Sequence, residues 1–486
     1  MTILIHPGHL NTRVTVGALP NDVLLEVFGF CVDVDVDVDE ECDDDDDGDR
    51  LHQGRWLTLV HVCRQWRCLV FASPRSLDLR LYCTPDKPVK KMLDIWPELP
   101  IVIHSFNRAP QLPGVANIMA ALKQPNRVRK IGIDDIPNSL LKILAAEMST
   151  PFPALTDLEL FSTGEGTPVL PDSFLGGSAP LLQYLGLCGV PFPALPKLLL
   201  TATNLVVLRL EDLPPSGYIS PEAIVTSLSA LTKLKSFSLG FRSPRSQHDQ
   251  EGRPPPPVTR VVLPALTEFW FTGDSDYFED TLSRIDTPLL CDVLITFFNQ
   301  LAFDTPSLRD FISRTESFKA PHRAHLMFSK LDVTVLLFHR NGVADPRTFQ
   351  LRISYHPLRW RWGCPTLVQM YNSCFPPFPT LEHLVICENR HSQPEWQDYM
   401  QSAQWLELFR SFTSVKCLCL AKDFVAFVSL ALVGLIGQQV TEILPALQTI
   451  LVDGLESSDP TGALHGTMSF VVARYGFGSY VDLLFF

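Results

Sequence analysis

Few residues of this sequence have the types and spacing that chemistry needs, and each candidate fails at a required position. Gly176-Gly177-Ser178-Ala179-Pro180 has the outline of a nucleophile elbow, whose serine must stand on a tight strand-to-helix turn. Pro180 replaces the closing glycine, and the segment precedes a strand-like run instead of following one. Gly164-Glu165-Gly166 begins a dinucleotide-type glycine loop, but Val169 stands where the third glycine must admit a pyrophosphate, and Pro168 spoils helix entry. Asp43, Asp45, Asp47 and Gly48 match the first half of an EF-hand loop. Its bidentate twelfth position is Gly54, so the calcium cage does not close. No P-loop and no H-E-x-x-H pair occurs. Cys417 and Cys419 alternate across Leu418 in a strand-like run and are read as small buried apolar groups. The expectation is a non-enzyme with no catalytic residue, no metal ligand and no cofactor.

Two segments could bind rather than react. Pro254–Pro257 lies in a loop rich in Ser, Gln and Arg, suited to an SH3-like partner or, as polyproline II, to a plain spacer. Trp360-Arg361-Trp362 is an aromatic-basic cluster that suits a binding surface or core packing.

Charge narrows the partners. Of the chain's net −13, twelve acids lie within residues 33–49 with no base among them, which leaves −1 for the remainder. The acidity belongs to one segment, and nothing has the basic footprint of a nucleic-acid binder. The longest apolar run, Phe424–Gly437, has fourteen residues, short of the roughly 20 that span a bilayer. A buried repeat helix fits it, and no membrane partner is expected. MTILIHPGHL carries no signal-peptide pattern, no Asn-x-Ser/Thr sequon occurs, and the 12 cysteines follow no disulfide framework. The expectation from these features is reduced thiols and a location in the cytoplasm, the nucleus or both.

The elements that would carry any function divide into two parts. Residues 1–16 read as a tail, and 17–82 as a helical unit interrupted by 32–55. Pro20 and Asn21 open a helix whose first turn holds Asp22. Val23, Leu24, Val27, Phe28 and Cys31 then fall on one helical face. Trp56 begins a second helical segment that runs through Trp66 to Val70, before a Ser73-Pro74 break. Between them, alternating Val-Asp and five consecutive aspartates repel one another too strongly for a core and predict a solvated loop.

Residues 83–126 read as a connection, and 127–486 as a repeat array. Apolar residues recur at the spacing L-x-x-L-x-L: Val128, Ile131, Ile133; Leu155, Leu158, Leu160; Leu182, Leu185, Leu187; Leu205, Leu208, Leu210. Copies starting at Leu234, Leu266 and Leu290 follow, so successive units begin 27, 27, 23, 29, 32 and 24 residues apart. Later copies start at Leu381, Val415 and Leu447, and Pro-Ala-Leu leads into three of the strands. Helical spacing fills the gaps, as in Ser139–Ala146 and Pro221–Leu228. Each short strand shows one apolar face that only a stacked neighbour can cover. The fold class expected is α/β, with a short all-α unit followed by a leucine-rich-repeat solenoid of strand-plus-helix units. A doubly wound α/β domain also alternates strand and helix, but needs neither the shared spacing nor the lead-in. Residues 296–375 show the pattern poorly, so the repeat there is irregular or replaced. Val481–Phe486 is an apolar terminus that could dock on the last repeat.

The first unit resembles the F-box in both halves: LPNDVLLEVFGFC, then WLTLVHVCRQWRCLVFASPRSLDL. With LYCTPDKPVKKMLDIWPELPIVI and SGYISPEAIVTSLSALTKL, the chain is similar to F-box proteins of mushroom-forming fungi over nearly its whole length. The departure is the acidic insertion, much longer than the usual linker between the first two F-box helices. The resemblance implies a substrate-recognition subunit of an SCF-type E3 ubiquitin ligase. Its F-box would bind a Skp-family adaptor joined to a cullin, and its repeats an unidentified protein substrate. Carried over by position, the adaptor contacts are Leu19, Pro20, Val23, Leu24, Phe28, Leu57, Val62 and Trp66, apolar anchors entering an apolar groove. Trp66, with Cys63, suits the motif's own small core equally well. The alternative is a leucine-rich-repeat interaction scaffold without ligase activity.

Overall fold

The computed structural model describes residues 19–32, 56–73, 77, 79–85, 88–96, 99–105, 112–244, 260–298, 304–328, 332–339, 348–354, 371–388, 402–433, 435, 439–454 and 464–485. The expected tail, the acidic run 33–49, Pro254–Pro257 and Trp360–Trp362 lie outside them.

Three helices come first: α1 (Asn21–Val32), α2 (Trp56–Val62) and α3 (Arg64–Ala72). The Leu24 amide closes the first turn of α1 on the Pro20 carbonyl at 3.0 Å. Pro20 itself has no N–H to leave unpaired there. At the α2–α3 junction the Cys63 thiol accepts the Trp66 amide at 3.5 Å, and Arg67 Nε donates to the Val60 carbonyl at 2.9 Å. Phe71 of α3 packs on Trp96 with ring centroids 4.7 Å apart, joining these helices to the rest of the chain.

The rest is one sheet of sixteen strands among the described residues. In chain order these are β1 (Leu81–Cys83), β2 (Ile101–Ser105), β3 (Val128–Ile133), β4 (Asp157–Phe161), β5 (Tyr184–Cys188), β6 (Val207–Leu213) and β7 (Ser236–Phe241). A two-stranded side pair is made by β8 (Val261–Val262) and β10 (Ile285–Asp286), which flank β9 (Glu268–Gly273) in sequence; β11 (Asp292–Phe297) follows. Then come β12 (Arg323–Phe328), β13 (Asp332–Phe338), β14 (Thr348–Ser354), β15 (His383–Glu388), β16 (Cys417–Ala421), β17 (Thr449–Asp453) and β18 (Asp482–Phe485). Among the described residues the helices between them are α4 (Val89–Ile95), α5 (Leu112–Leu122), α6 (Asn138–Glu147), α7 (Leu195–Leu199), α8 (Pro221–Leu228), α9 (Ser275–Arg284), α10 (Pro306–Arg314), α11 (Ser402–Arg410), α12 (Lys422–Val433), α13 (Gln439–Glu442) and α14 (His465–Gly476).

Neighbours follow chain order and run parallel from β1 to β7, through β9 and β11, and again from β15 to β18. That is the order stacked strand-plus-helix units produce, and it makes the architecture mixed α/β with a parallel sheet. The segment 83–126, read as a connection, instead supplies β2, α4 and α5, and β1 and β2 carry the same sheet back to residue 81. Short strands split by loops hid this unit from the spacing.

The irregular stretch has a clear form. From β11 the chain steps past two strand positions to β12, then turns back so that β13 and β14 fill the gap antiparallel. Parallel pairing resumes on both sides, β14 with β11 and β12 with β15. The apolar terminus is also accounted for: β18 pairs parallel with β17, and Val481 is buried.

Alternation sets what is inside. Leu158 and Leu160, Leu185 and Leu187, Leu208 and Leu210, and their counterparts are buried on the helix side, in one continuous core that begins at Leu24 and Phe28. In β7 and β9 phenylalanine takes three of the four leucine positions, at Phe237, Phe269 and Phe271. Phe237 stacks on Phe269 at 5.3 Å, and Phe278 of α9 packs on Phe271 at 4.7 Å. Phe424, Val425, Val428 and Leu432 of α12 are buried, and no described helix is long and apolar enough to cross a membrane.

Candidate functional site

Two surfaces have the make-up of interaction sites. The first is on α1, whose apolar residues form two adjoining stripes. Leu24 and Phe28 are fully buried, and Phe28 meets the half-buried Trp66 of α3 with centroids 4.6 Å apart. Leu59 and Val60 of α2 and Leu69 and Val70 of α3 complete this small interior. Val23, Val27 and Phe30 stand on the other stripe at i, i+4 and i+7, facing solvent, with Phe30 80% exposed. Val62 at the end of α2 is 59% exposed.

This sorts the residues expected to meet an adaptor. Pro20, Val23 and Val62 are exposed, whereas Leu19 is half-buried against the core. Leu24 and Phe28 are corrected to interior residues, because a side chain with no accessible surface has none to offer a partner. Trp66 sides with the motif's own core, and the side chain of Leu57 lies outside the described residues. Val27 and Phe30 complete the exposed stripe. Eight apolar residues in twelve could not show which edge of the helix faces inward.

The second surface is the open face of the sheet, made by the residue between the two leucines of each L-x-L. Register aligns Gly132, Glu159, Gly186, Arg209, Ser238, Trp270 and Leu294 across seven neighbouring strands. The Tyr184 hydroxyl donates to Glu159 Oε1 at 3.0 Å, and that of Ser238 to Glu211 Oε1 at 3.0 Å. The Arg209 guanidinium lies 5.9 Å from the Tyr184 ring centroid and 5.7 Å from that of Trp270, a cation held over two aromatic faces. Its Nε is buried with no hydrogen-bond partner. Arg242 donates to Asp212 Oδ2 at 2.7 Å, while Lys130 sits 3.5 Å from Asp157. Acids outnumber bases from β3 to β11, and burial, then Glu159 and Asp135, push the Asp134 carboxyl up to about 6. Burial first, then Glu159, raises the Tyr184 hydroxyl.

The cysteines on this face are held toward the neutral thiol. Burial, then Asp212 and Glu211, push the Cys188 thiol up to about 12, away from the reactive thiolate. Cys417 and Cys419 flank the buried Leu418 on the open face and are half-exposed, so their expected burial is corrected. Burial raises both thiols as well. Gly176 and Gly177, from the elbow-like run, belong to a single turn with φ of +65° and +72°.

No protein-family model matches the chain, and no curated protein matches it significantly. Among solved structures it is similar to the leucine-rich-repeat-containing protein LegL7 of Legionella pneumophila, at 13% identity and a TM-score of 0.26. That match covers 81% of this chain and 97% of the other. A superposition so loose carries no argument, and the repeat architecture rests on this chain's own strand register.

Proposed function

We propose that the chain is the substrate-recognition subunit of an SCF-type E3 ubiquitin ligase. In this reading α1–α3 are an F-box that docks on a Skp-family adaptor linked to a cullin. The repeat sheet holds a protein for ubiquitylation and does no chemistry itself, in the cytosol or nucleus. The observation that carries it is the exposed Val23–Val27–Phe30 stripe, which with the exposed Pro20 and Val62 belongs to the segment resembling an F-box. An apolar stripe at helical spacing left in water marks a helix with a missing partner. The open face supports the other half, because its polar and aromatic side chains project from rigid strands.

The test is capture of purified Skp-family adaptor and cullin by the full chain and by Val27→Asp with Phe30→Asp. The wild type should hold both. The double variant should lose at least about 2 kcal/mol, or roughly thirtyfold in affinity, with the sheet still folded. Retained capture by the variant rejects the stripe. No capture by the wild type leaves the second reading, a repeat scaffold without ligase activity, which the open face alone favours.

A further inference from the structure

We propose that His322, Glu382 and His383 form a binding site for one divalent transition-metal ion, with zinc the best fit to two imidazoles and a carboxylate. The inference is independent of adaptor binding. His322 immediately precedes β12, and Glu382-His383 opens β15, so the donors are separated in sequence by the whole β13–β14 excursion. The fold brings them together and fixes their backbones. The His322 carbonyl accepts the amides of Glu382 at 3.0 Å and His383 at 3.1 Å, while its own amide donates to the Phe338 carbonyl at 2.8 Å.

One ligand atom from each of the three side chains lies within 4.8 Å of the others. His322 Nδ1 is 3.8 Å from Glu382 Oε2, and the two imidazoles meet edge-on at 4.7 Å, not face to face. Tetrahedral zinc with bonds of about 2.0 Å sets its ligand atoms ~3.3 Å apart, so side-chain rotation of about an ångström closes the set. All three residues are half-buried, which leaves an open side for water as the fourth ligand. Lys416 Nζ pairs with the other carboxylate oxygen, Oε1, at 2.6 Å, and Arg323 is the neighbouring base. Those two cations weaken the site without filling it. A bound ion would tie β12 to β15 where parallel order resumes, a clamp on the longest excursion of the sheet.

The experiment is calorimetric titration of Zn2+ into the chelator-stripped full chain, with thermal unfolding and circular dichroism alongside. The wild type should show one strongest equivalent and a raised unfolding midpoint. His322→Ala, His383→Ala and Glu382→Gln should each lose about tenfold or more in affinity and the midpoint shift. Lys416→Met, which keeps every ligand, should bind about threefold tighter, since a like charge near the ion is gone. Cobalt(II) in the same site should lack the intense thiolate charge-transfer band. Unchanged affinity in the histidine variants, no tightening in Lys416→Met, or a thiolate band placing the ion on cysteines would each overturn the proposal.

Discussion

Asp134, just past β3, sits beside Glu159 and Asp135 and half out of water, and its carboxyl ionises near 6 against an ordinary 3.8. Between those values the native state binds a proton that the unfolded chain has released. Stability from Asp134 is therefore present at low pH and is lost as pH rises through 6. Solvent screening at a half-exposed group cuts the effect to about 1 kcal/mol. Asp134→Asn should accordingly stabilise the protein by about that amount at pH 7.5 and by nothing at pH 4, measured by urea unfolding. Equal gains at both pH values would reject carboxylate crowding as the cause. Single residues also mark where sequence reading stops. The period of α1 was legible from Val23 to Cys31, but the division into a buried Leu24–Phe28 stripe and an exposed Val23–Val27–Phe30 stripe depends on where α3 lies. The packing of Trp66 on Phe28 is one contact that decides it.

Between elements, α9 and α10 show how one repeat secures the next. Glu279 is buried in α9, and its carboxylate accepts the amides of Ser307 at 2.7 Å and Leu308 at 2.8 Å, the first free N–H groups of α10. A charge-assisted cap from a neighbouring helix satisfies donors that Thr305, at the N-cap, does not reach with its side chain. Glu279→Ala should cost about 2 kcal/mol, since the buried Leu308 amide and the part-buried Ser307 amide lose their acceptor. Hydrogen exchange should quicken first in 306–314; unchanged protection there would dismiss the cap. The strands on either side were legible because L-x-L puts two leucines on one face. The same alternation occurs in Ala324, Leu326 and Phe328 of β12 and in the apolar run of β13, and period two says nothing about strand direction. Hence the antiparallel excursion was visible only as an irregular stretch. With it went the meeting of His322 with Glu382 and His383, which no local motif encodes.

At the scale of the molecule, each unit touches its neighbours and little else, so damage should stay near where it is made. The C-terminal unit offers a sharp case. Arg474 of α14 is buried, and its guanidinium donates to the carbonyls of Ile443 at 3.1 Å, Leu444 at 3.0 Å and Pro445 at 3.0 Å. It also donates to Ser479 Oγ at 2.9 Å. One side chain thus holds the turn before β17, helix α14 and the approach to β18. Leu444 has φ +48°, a conformation costly for leucine that the guanidinium helps to hold. Arg474→Leu removes every guanidinium donor and leaves the buried carbonyls of Ile443 and Leu444 and the part-buried one of Pro445 short of partners, a loss of at least about 3 kcal/mol. In a one-dimensional array that loss releases β17, α14 and β18 together. Hydrogen exchange should show β17, α14 and β18 losing protection while β3 to β7 keep theirs. Simultaneous loss along the whole sheet would mean that the single core running from Phe28 to Val481 couples every unit, and that the molecule unfolds as one body.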